Sequence, residues 1–68
     1  MNTWIIKLVG LELEEFVSSY SNTLAQALTT CRQDNAKKFD TQPEAKKWAS
    51  AYLTGYRWVI IPYTPVVP

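Results

Sequence analysis

The chain has 68 residues but only one cysteine, Cys31, and no histidine. An intrachain disulfide is therefore impossible, and too few ligands are present for a structural zinc site, which takes four cysteine or histidine side chains. Domains of this size bury only about 60% of the surface of the unfolded chain, so they depend on dense packing or on a partner subunit. Three tryptophans, two phenylalanines and four tyrosines supply the large apolar side chains that a small core needs.

The clearest local signal is a helix over residues 42–53. Thr41 and Glu44 have the spacing of a capping box, in which the threonine hydroxyl accepts a hydrogen bond from the Glu44 amide. Pro43 suits the first turn of a helix, and Gly55 follows where a left-handed residue often ends one. The predicted helix is amphipathic: Ala45, Trp48, Ala49, Tyr52 and Leu53 form the apolar face, and Lys46, Lys47 and Ser50 form the polar face.

Two segments near the ends of the sequence predict strands. In TWIIKLV, Trp4, Ile6 and Leu8 alternate with the other side chains and should face the core. In YRWVIIP both sides are apolar, so this strand is either central or meets a partner with its outer side. The prolines after it predict an extended tail over residues 62–68, following a single domain of residues 1–61.

The segment of residues 11–31 fits two patterns. A helical wheel places eight apolar or small side chains on one side, which indicates a helix. The stretch VSSYSNT, however, consists of residues with low helix propensity, and Val, Tyr and Thr favour strands. We predict a strand over residues 14–20, a loop, and a short extended piece near residues 28–31. A short helix over residues 24–28 is the alternative.

The segment RQDNAKKF, residues 32–39, predicts a turn or a single helical turn that leads Phe39 back toward the core. Together the elements predict an α+β fold in the order β-β-(β)-α-β. A small, mostly antiparallel sheet of three or four strands carries one principal helix on one face. We expect Trp48 and Tyr52 of that helix to pack on the sheet.

Two patterns occur together in this chain. The first is WIIK at residues 4–7, and the second is A-K-x-F-x-[ST]-x-x-[ED]-A, formed by Ala36, Lys37, Phe39, Thr41, Glu44 and Ala45. Their order resembles that of small, uncharacterised proteins from phages and prophages of lactic-acid and related Gram-positive bacteria. The resemblance covers residues 3–61, and the TPVVP ending goes beyond it. It concerns core positions and a helix cap, so it implies the fold and no activity.

The sequence contains few of the residues and motifs that enzymes commonly use for catalysis. Without histidine, the commonest general base and the usual partner of a serine or cysteine nucleophile are missing. We interpret Glu12, Glu14 and Glu15 as a solvated strand edge. We interpret Cys31, although the cationic Arg32 follows it, as a small buried apolar residue. No GxGxxG or P-loop motif is present. We therefore expect a non-enzymatic protein without a cofactor, metal or small-molecule substrate.

The formal net charge is +1, which predicts no strong nonspecific attraction to polyanions. The charges are uneven, because residues 1–31 carry one basic and three acidic side chains and residues 32–68 carry six basic and three acidic ones. No apolar run approaches the roughly 18–20 residues of a membrane span, and the first ten residues do not form a signal peptide. We expect a soluble protein in the cytoplasm of a host bacterial cell, without membrane contact.

Two surfaces are candidates for binding. The first is a lysine patch on and before the helix, which would contact the phosphates of a nucleic acid. It comprises Lys37, Lys38, Lys46, Lys47 and Arg57, with Tyr56 and Tyr63 as candidate stacking residues. The alternative interpretation is that these lysines only solvate the helix.

The second candidate is the sheet face away from the helix. An apolar patch there would bind a protein partner or a second copy of the chain, unless residues 21–31 or the tail cover it. Its residues are Val17, Val59, Ile61 and Tyr63. Our leading hypothesis is a phage or prophage accessory protein that binds a protein partner, with a homodimer as one form. A small nucleic-acid-binding module is the alternative.

Overall fold

Four strands and one α-helix make up most of residues 3–10 and 12–64, which the computed structural model describes. The strands are β1 (Thr3–Leu8), β2 (Glu15–Ser21), β3 (Gln26–Thr30) and β4 (Trp58–Tyr63), and the helix α1 (Gln42–Tyr52) precedes β4. The strands form one sheet in the order β3-β2-β1-β4, and every neighbouring pair is antiparallel. The predicted α+β fold, with one helix packed on the sheet, is confirmed.

The ambiguous segment forms strands. β2 and β3 make a hairpin across a turn over residues 22–25, and the register shifts at a bulge between Val17 and Ser19. The strand preference of the VSSYSNT stretch thus outweighs its helical periodicity. The alternative of a short helix over residues 24–28 is wrong, because Gln26 already begins β3.

The helix begins where the capping pattern predicts. The Thr41 hydroxyl accepts a hydrogen bond of 3.3 Å from the Glu44 amide, and Leu53 caps the other end. In the turn that follows, Gly55 adopts a φ of +91°, a conformation that side chains disfavour. The face toward the sheet carries the fully buried Ala45 and Ala49, whose small side chains let the helix lie close to the strands.

The larger apolar core lies between α1 and the sheet. The buried residues are Ile6, Leu8 and Val17 from the sheet, Phe39 before the helix, and Ala45, Ala49 and Leu53. Trp4, Trp48, Trp58 and Ile60 are half-buried around it. Trp4, Ile6 and Leu8 therefore face the core as predicted. Tyr52 remains 42% exposed, and its ring lies against the sheet at Tyr20 of β2, with 5.1 Å between the ring centroids.

Residues 33–39, which we call the strap, fill a gap in the sheet. Within the described residues, β1 and β2 are in register only at Lys7–Phe16 and Leu8–Glu15. Beyond these pairs the strap takes its place between the strands: the Lys37 amide donates to the Val17 carbonyl at 2.9 Å. Phe39 and Trp4 exchange two backbone hydrogen bonds of 2.8 Å. The predicted turn is a 3₁₀ turn over Gln33–Asn35, and it does lead Phe39 back to the core.

The strap also covers the sheet face away from α1. Ala36 is buried there against Ile5 and Phe16, with Ile61 and Tyr63 packed beside them. This second, smaller core lies on the face for which the sequence left two alternatives, an open apolar patch or a cover formed by residues 21–31 or the tail. Ala36 of the strap and Tyr63, which the sequence placed in the tail, pack against this face.

A clamp between side chains fixes the strap to β4. The Tyr63 hydroxyl donates a hydrogen bond of 2.7 Å to Asp34 Oδ1. On the same side, Lys38 Nζ lies 4.8 Å from the centre of the Tyr63 ring, within cation–π range. The hydrogen bond to Asp34, together with partial burial and the aspartate charge, raises the pKa of the Tyr63 hydroxyl above its ordinary value.

The four residues expected to form a protein-binding patch do not share one open surface. Val17 is fully buried on the helix side of the sheet. Its neighbour Phe16 packs in the second core on the opposite face, because consecutive residues of a strand point to opposite faces. Ile61 and Tyr63 are half-buried beside the strap. Only Val59 among the four is exposed, at 41%.

The last strand is longer than predicted. β4 continues through Pro62 and Tyr63, which pair with Trp4 and Thr3. The backbone N–H and C=O of Trp4 bond to the strap and therefore point away from β4. In an antiparallel ladder, the backbone of its partner Pro62 then points to the other side of β4, which is the free edge of the sheet. A proline is tolerated at such an edge.

Residues 65–68 of the predicted tail lie outside the described residues. Within the described residues, no helix has the length and apolarity to cross a membrane.

Candidate functional site

A groove of about 550 Å³ runs along α1 on the side of the strap. Three kinds of side chain line it. The aromatic ones are Phe39, Trp48 and Tyr52, the charged ones are Lys37, Lys38, Lys47 and Glu44, and Ala51 completes the wall. We call it the aromatic groove. Its lining combines π faces with three cations and one anion.

The aromatic rings form a continuous run. Phe39 lies 5.9 Å from Trp48, measured between ring centroids, and Trp48 lies 5.0 Å from Tyr52. Trp48 and Tyr52 meet because residues four apart are neighbours on a helix. Tyr20 of β2 continues the run at 5.1 Å from Tyr52. The rings are tilted against one another by 38–57°. Tyr52 is 42% exposed, Tyr20 and Trp48 are half-buried, and Phe39 is buried.

The first groove lysine, Lys37, lies above these rings. In the extended part of the strap, Lys37 and Phe39 are two residues apart and share the helix side. Lys37 Nζ is 5.5 Å from the Phe39 ring and 5.9 Å from the Trp48 ring, both within cation–π range. The single ion pair among residues 3–10 and 12–64 joins Lys7 and Glu14, so Lys37 and Lys47 have no carboxylate partner there.

The ammonium of the next residue, Lys38, makes its contacts with the strap and with Tyr63 on the opposite side. Lys38 Nζ donates hydrogen bonds of 2.6 Å to the Asp34 carbonyl and 3.2 Å to the Ala36 carbonyl. Together with its position over the Tyr63 ring, these bonds fix the ammonium to the strap. Lys38 therefore borders the aromatic groove with its stem while its charge stabilises the fold.

The remaining basic residues predicted for the patch lie elsewhere. Lys46 borders a separate depression with Gln42, Pro43 and Ile60. Arg57 lies beyond the end of α1, in a depression that includes residues of β3. The structure thus brings together Lys37, Lys38 and Lys47 and separates Lys46 and Arg57 from them.

The predicted stacking residues also lie outside the aromatic groove. Tyr63 is on the opposite sheet face, and the Tyr56 hydroxyl accepts a hydrogen bond of 3.5 Å from the Ala27 amide. The rings available at the groove are instead those of Tyr20, Trp48 and Tyr52. The spacing of Trp48 and Tyr52 at the border of the helix, next to Lys47, was a usable signal. The position of Tyr20 depends on the β2–β3 bulge, which the sequence does not indicate.

A smaller hollow of about 170 Å³ adjoins the groove at the Tyr20 end. It shares Lys37, Trp48 and Tyr52 with the groove. Ser19, Tyr20 and Asn22 form the rest of its wall. We call it the polar hollow, because Ser19 and Asn22 are neutral polar residues, whereas the groove is lined by aromatic and charged residues and Ala51.

The cysteine is placed differently from the prediction. Cys31 is exposed just after β3, and was expected to be buried. It borders a shallow pocket with Glu12, Glu14 and Glu15. Reactive cysteines lie in electropositive surroundings, and this pocket is the reverse.

Comparison of the chain with protein-family models, curated proteins and solved structures finds no match. Interpretation of the aromatic groove therefore starts from its own side chains. Exposed rings stack on flat, π-rich groups, and unpaired lysines attract anions. A ligand that offers both kinds of group at short intervals would use the whole surface.

Proposed function

We propose that this protein is a non-enzymatic binding module whose aromatic groove holds single-stranded nucleic acid. The observation that carries the proposal is the run of rings from Phe39 through Trp48 and Tyr52 to Tyr20, bordered by Lys37 and Lys47. Proteins that bind single strands combine a cationic groove for the backbone with aromatic side chains on which successive bases stack.

The two groove lysines are suited to binding phosphates. Lys37 projects over the rings from the strap, and Lys47 approaches from α1, so the cations stand on two elements that border the same groove. Neither ammonium has a carboxylate partner within the described residues, so a phosphate displaces only water. Glu44 also borders the groove and reduces its positive charge.

A single strand fits this surface better than a duplex. Bases inside a duplex are stacked on each other and offer their faces to no side chain, whereas an open strand offers both. The net charge of +1 is far below that of a typical duplex-binding domain. We therefore expect weak, salt-sensitive binding, with a dissociation constant of about 10⁻⁴–10⁻⁶ M at physiological salt.

The lysines give the first test. We expect the double variant Lys37→Gln/Lys47→Gln to bind a labelled single-stranded oligonucleotide more weakly. Its plot of log affinity against log salt should be flatter by about 0.7 for each phosphate that the variant no longer neutralises. Fluorescence anisotropy at several salt concentrations measures both quantities. The matched control is Lys46→Gln/Arg57→Gln, which removes the same charge outside the groove. Equal weakening in the two double variants would contradict a defined site.

Two tyrosine variants test the stacking contribution in the same binding assay without changing the charge. Tyr52 is 42% exposed inside the groove, and Tyr56 is 40% exposed outside it. Because stacking on one base is worth about 1–3 kcal/mol, Tyr52→Ala should weaken binding by about 5-fold or more. Tyr56→Ala should bind like the wild type. Undiminished binding by Tyr52→Ala would remove the stacking part of the proposal.

A second candidate function, binding of a protein partner, is favoured by the free edge of β3. β3 contains no charged residue and no proline, the features with which sheets commonly protect their edges, whereas the β4 edge carries Pro62. Leu28 in β3 is 39% exposed. Antiparallel pairing of two β3 strands would give a homodimer. Sedimentation should then show dimers for the wild type and monomers for Leu28→Lys, and a wild type that stays monomeric contradicts this candidate.

For the biological setting we keep the prediction of a phage or prophage accessory protein. It rests on the WIIK and A-K-x-F patterns alone, and either kind of binding is compatible with it.

A further inference from the structure

Polar side chains around the β2–β3 turn divide into two sets. Ser18 and Ser21 are used within the fold: the Ser18 hydroxyl donates to the Leu28 carbonyl at 3.0 Å, and the Ser21 hydroxyl accepts from the Leu24 amide at 3.1 Å. Ser19 and Asn22 both border the polar hollow. Neither side chain has a hydrogen-bond partner among the described residues 3–10 and 12–64.

The polar hollow lies at the end of the aromatic run. Tyr20 and Tyr52, whose centroids are 5.1 Å apart, border it together with the two free polar side chains. A base that stacks on these rings would direct one of its edges toward Ser19 or Asn22. The wall of the aromatic groove carries no amide side chain, and its neutral hydrogen-bonding groups are the Trp48 indole N–H and the Tyr52 hydroxyl, which belong to the stacking rings.

We propose that the polar hollow is a base-reading subsite, in which Asn22 recognises adenine. This inference rests on the proposed function, since it assigns one position of a bound single strand. An asparagine amide offers a donor and an acceptor side by side. Adenine matches them in a bidentate pair on two edges, because its amino group lies beside N7 on one edge and beside N1 on another, whereas cytosine offers such a pair on one edge only. Ser19 supplies a further donor or acceptor for the same base.

The arrangement separates two tasks along the strand. Phosphate binding by Lys37 and Lys47 carries no sequence information, and stacking on Trp48 accepts every base. Among the residues of the two cavities, only Asn22 offers a donor and an acceptor side by side in one neutral group. The proposal therefore predicts a base preference at one position, within binding that otherwise depends little on sequence.

The test compares oligothymidines that carry one central adenine, cytosine or guanine with the unsubstituted strand, each as DNA and with uracil as RNA. For the wild type we expect the adenine strand to bind at least about 5-fold tighter than the unsubstituted one, the lower end for a bidentate pair. Asn22→Ala should abolish this preference while its salt dependence stays that of the wild type. Asn35→Ala, a matched change of an exposed asparagine in the strap that does not border the hollow, should keep the preference.

The outcomes separate this inference from the function on which it rests. If the wild type binds all strands equally and binding still depends on Lys37 and Lys47, the base-reading subsite is wrong but binding in the aromatic groove stands. A preference that persists in Asn22→Ala overturns the role of Asn22. Absence of any lysine-dependent binding overturns the proposed function itself.

Discussion

Each lysine pair of the sequence is divided by the local backbone geometry. Lys37 and Lys38 lie in an extended segment, where consecutive side chains point to opposite sides, so one covers the Trp48 ring and the other the Tyr63 ring. Lys46 and Lys47 lie on a helix, where consecutive residues are about 100° apart, and they border different depressions. Adjacency in sequence thus predicted one patch of lysines, whereas the structure leaves one ammonium of each pair, those of Lys37 and Lys47, available at the aromatic groove.

The β2–β3 turn contains a residue under backbone strain. Ala25 has a φ of +52°, a left-handed conformation that costs a residue with a Cβ roughly 1–2 kcal/mol. Glycine avoids this cost but loses more entropy on folding. We expect Ala25→Gly to raise the free energy of unfolding by about 0.5–1 kcal/mol in urea denaturation.

The same chemical change should have the opposite sign on the helix. Ala51 is exposed on α1, where glycine is about 1 kcal/mol less favourable than alanine. Ala51→Gly should therefore destabilise the protein. A destabilised Ala25→Gly variant would show that the turn does not hold the left-handed conformation in solution.

Among the elements, α1 could be predicted from sequence because its signals are local. The cap at Thr41, the proline at position 43 and the small residues on one face all lie within a few residues of each other. The strands of residues 12–31 were harder to predict, because the periodicity of their apolar residues indicates a helix whereas their residue types favour strands. Pairing with β1 and the strap decides between them, and those contacts are distant in sequence.

The N-terminal cap of α1 gives a prediction at this scale. Thr41→Ala removes the hydroxyl that accepts from the Glu44 amide, so the free energy of unfolding should fall by about 1 kcal/mol. For a chain of this size that corresponds to a melting temperature lower by about 4–8 °C. Thr54→Ala, an exposed change just after the helix, is the control and should melt like the wild type. Equal melting of all three proteins would contradict the cap.

For the whole molecule, the feature that sequence reasoning missed is the strap. Its residues read as a turn, and nothing in RQDNAKKF shows that they enter a sheet between two strands. The space exists only because β1 and β2 diverge after two residue pairs. The covered second face and the placement of Lys37 over the aromatic run both follow from that divergence, so neither could be predicted from local patterns.

The clamp between Tyr63 and Asp34 makes stability depend on pH in the alkaline range. Because folding raises the pKa of Tyr63, the contribution of this residue is present below its unfolded pKa of about 10 and is lost as the pH rises through the folded value. Tyr63→Phe should melt at a lower temperature than the wild type at pH 7. The difference should shrink above pH 10, when the wild-type hydroxyl ionises.

Thermal melts of both proteins from pH 7 to 11 measure this difference. Tyr56→Phe serves as the matched control, since its hydroxyl makes only a hydrogen bond of 3.5 Å. A constant difference between Tyr63→Phe and the wild type across the whole range would contradict a role for the clamp.

The pairing of the first described strand with the last has a consequence for the newborn chain. As a ribosome makes the protein, β1 emerges long before β4, which pairs with it from Thr3–Tyr63 to Leu8–Trp58. The β2–β3 hairpin can close as soon as it leaves the exit tunnel, but the TWIIKL segment has to wait, with Ile5 and Ile6 open to other nascent chains. The time for which this strand is exposed during translation depends on how quickly the ribosome proceeds from β1 to β4, because Ile5 and Ile6 gain their β4 neighbours last.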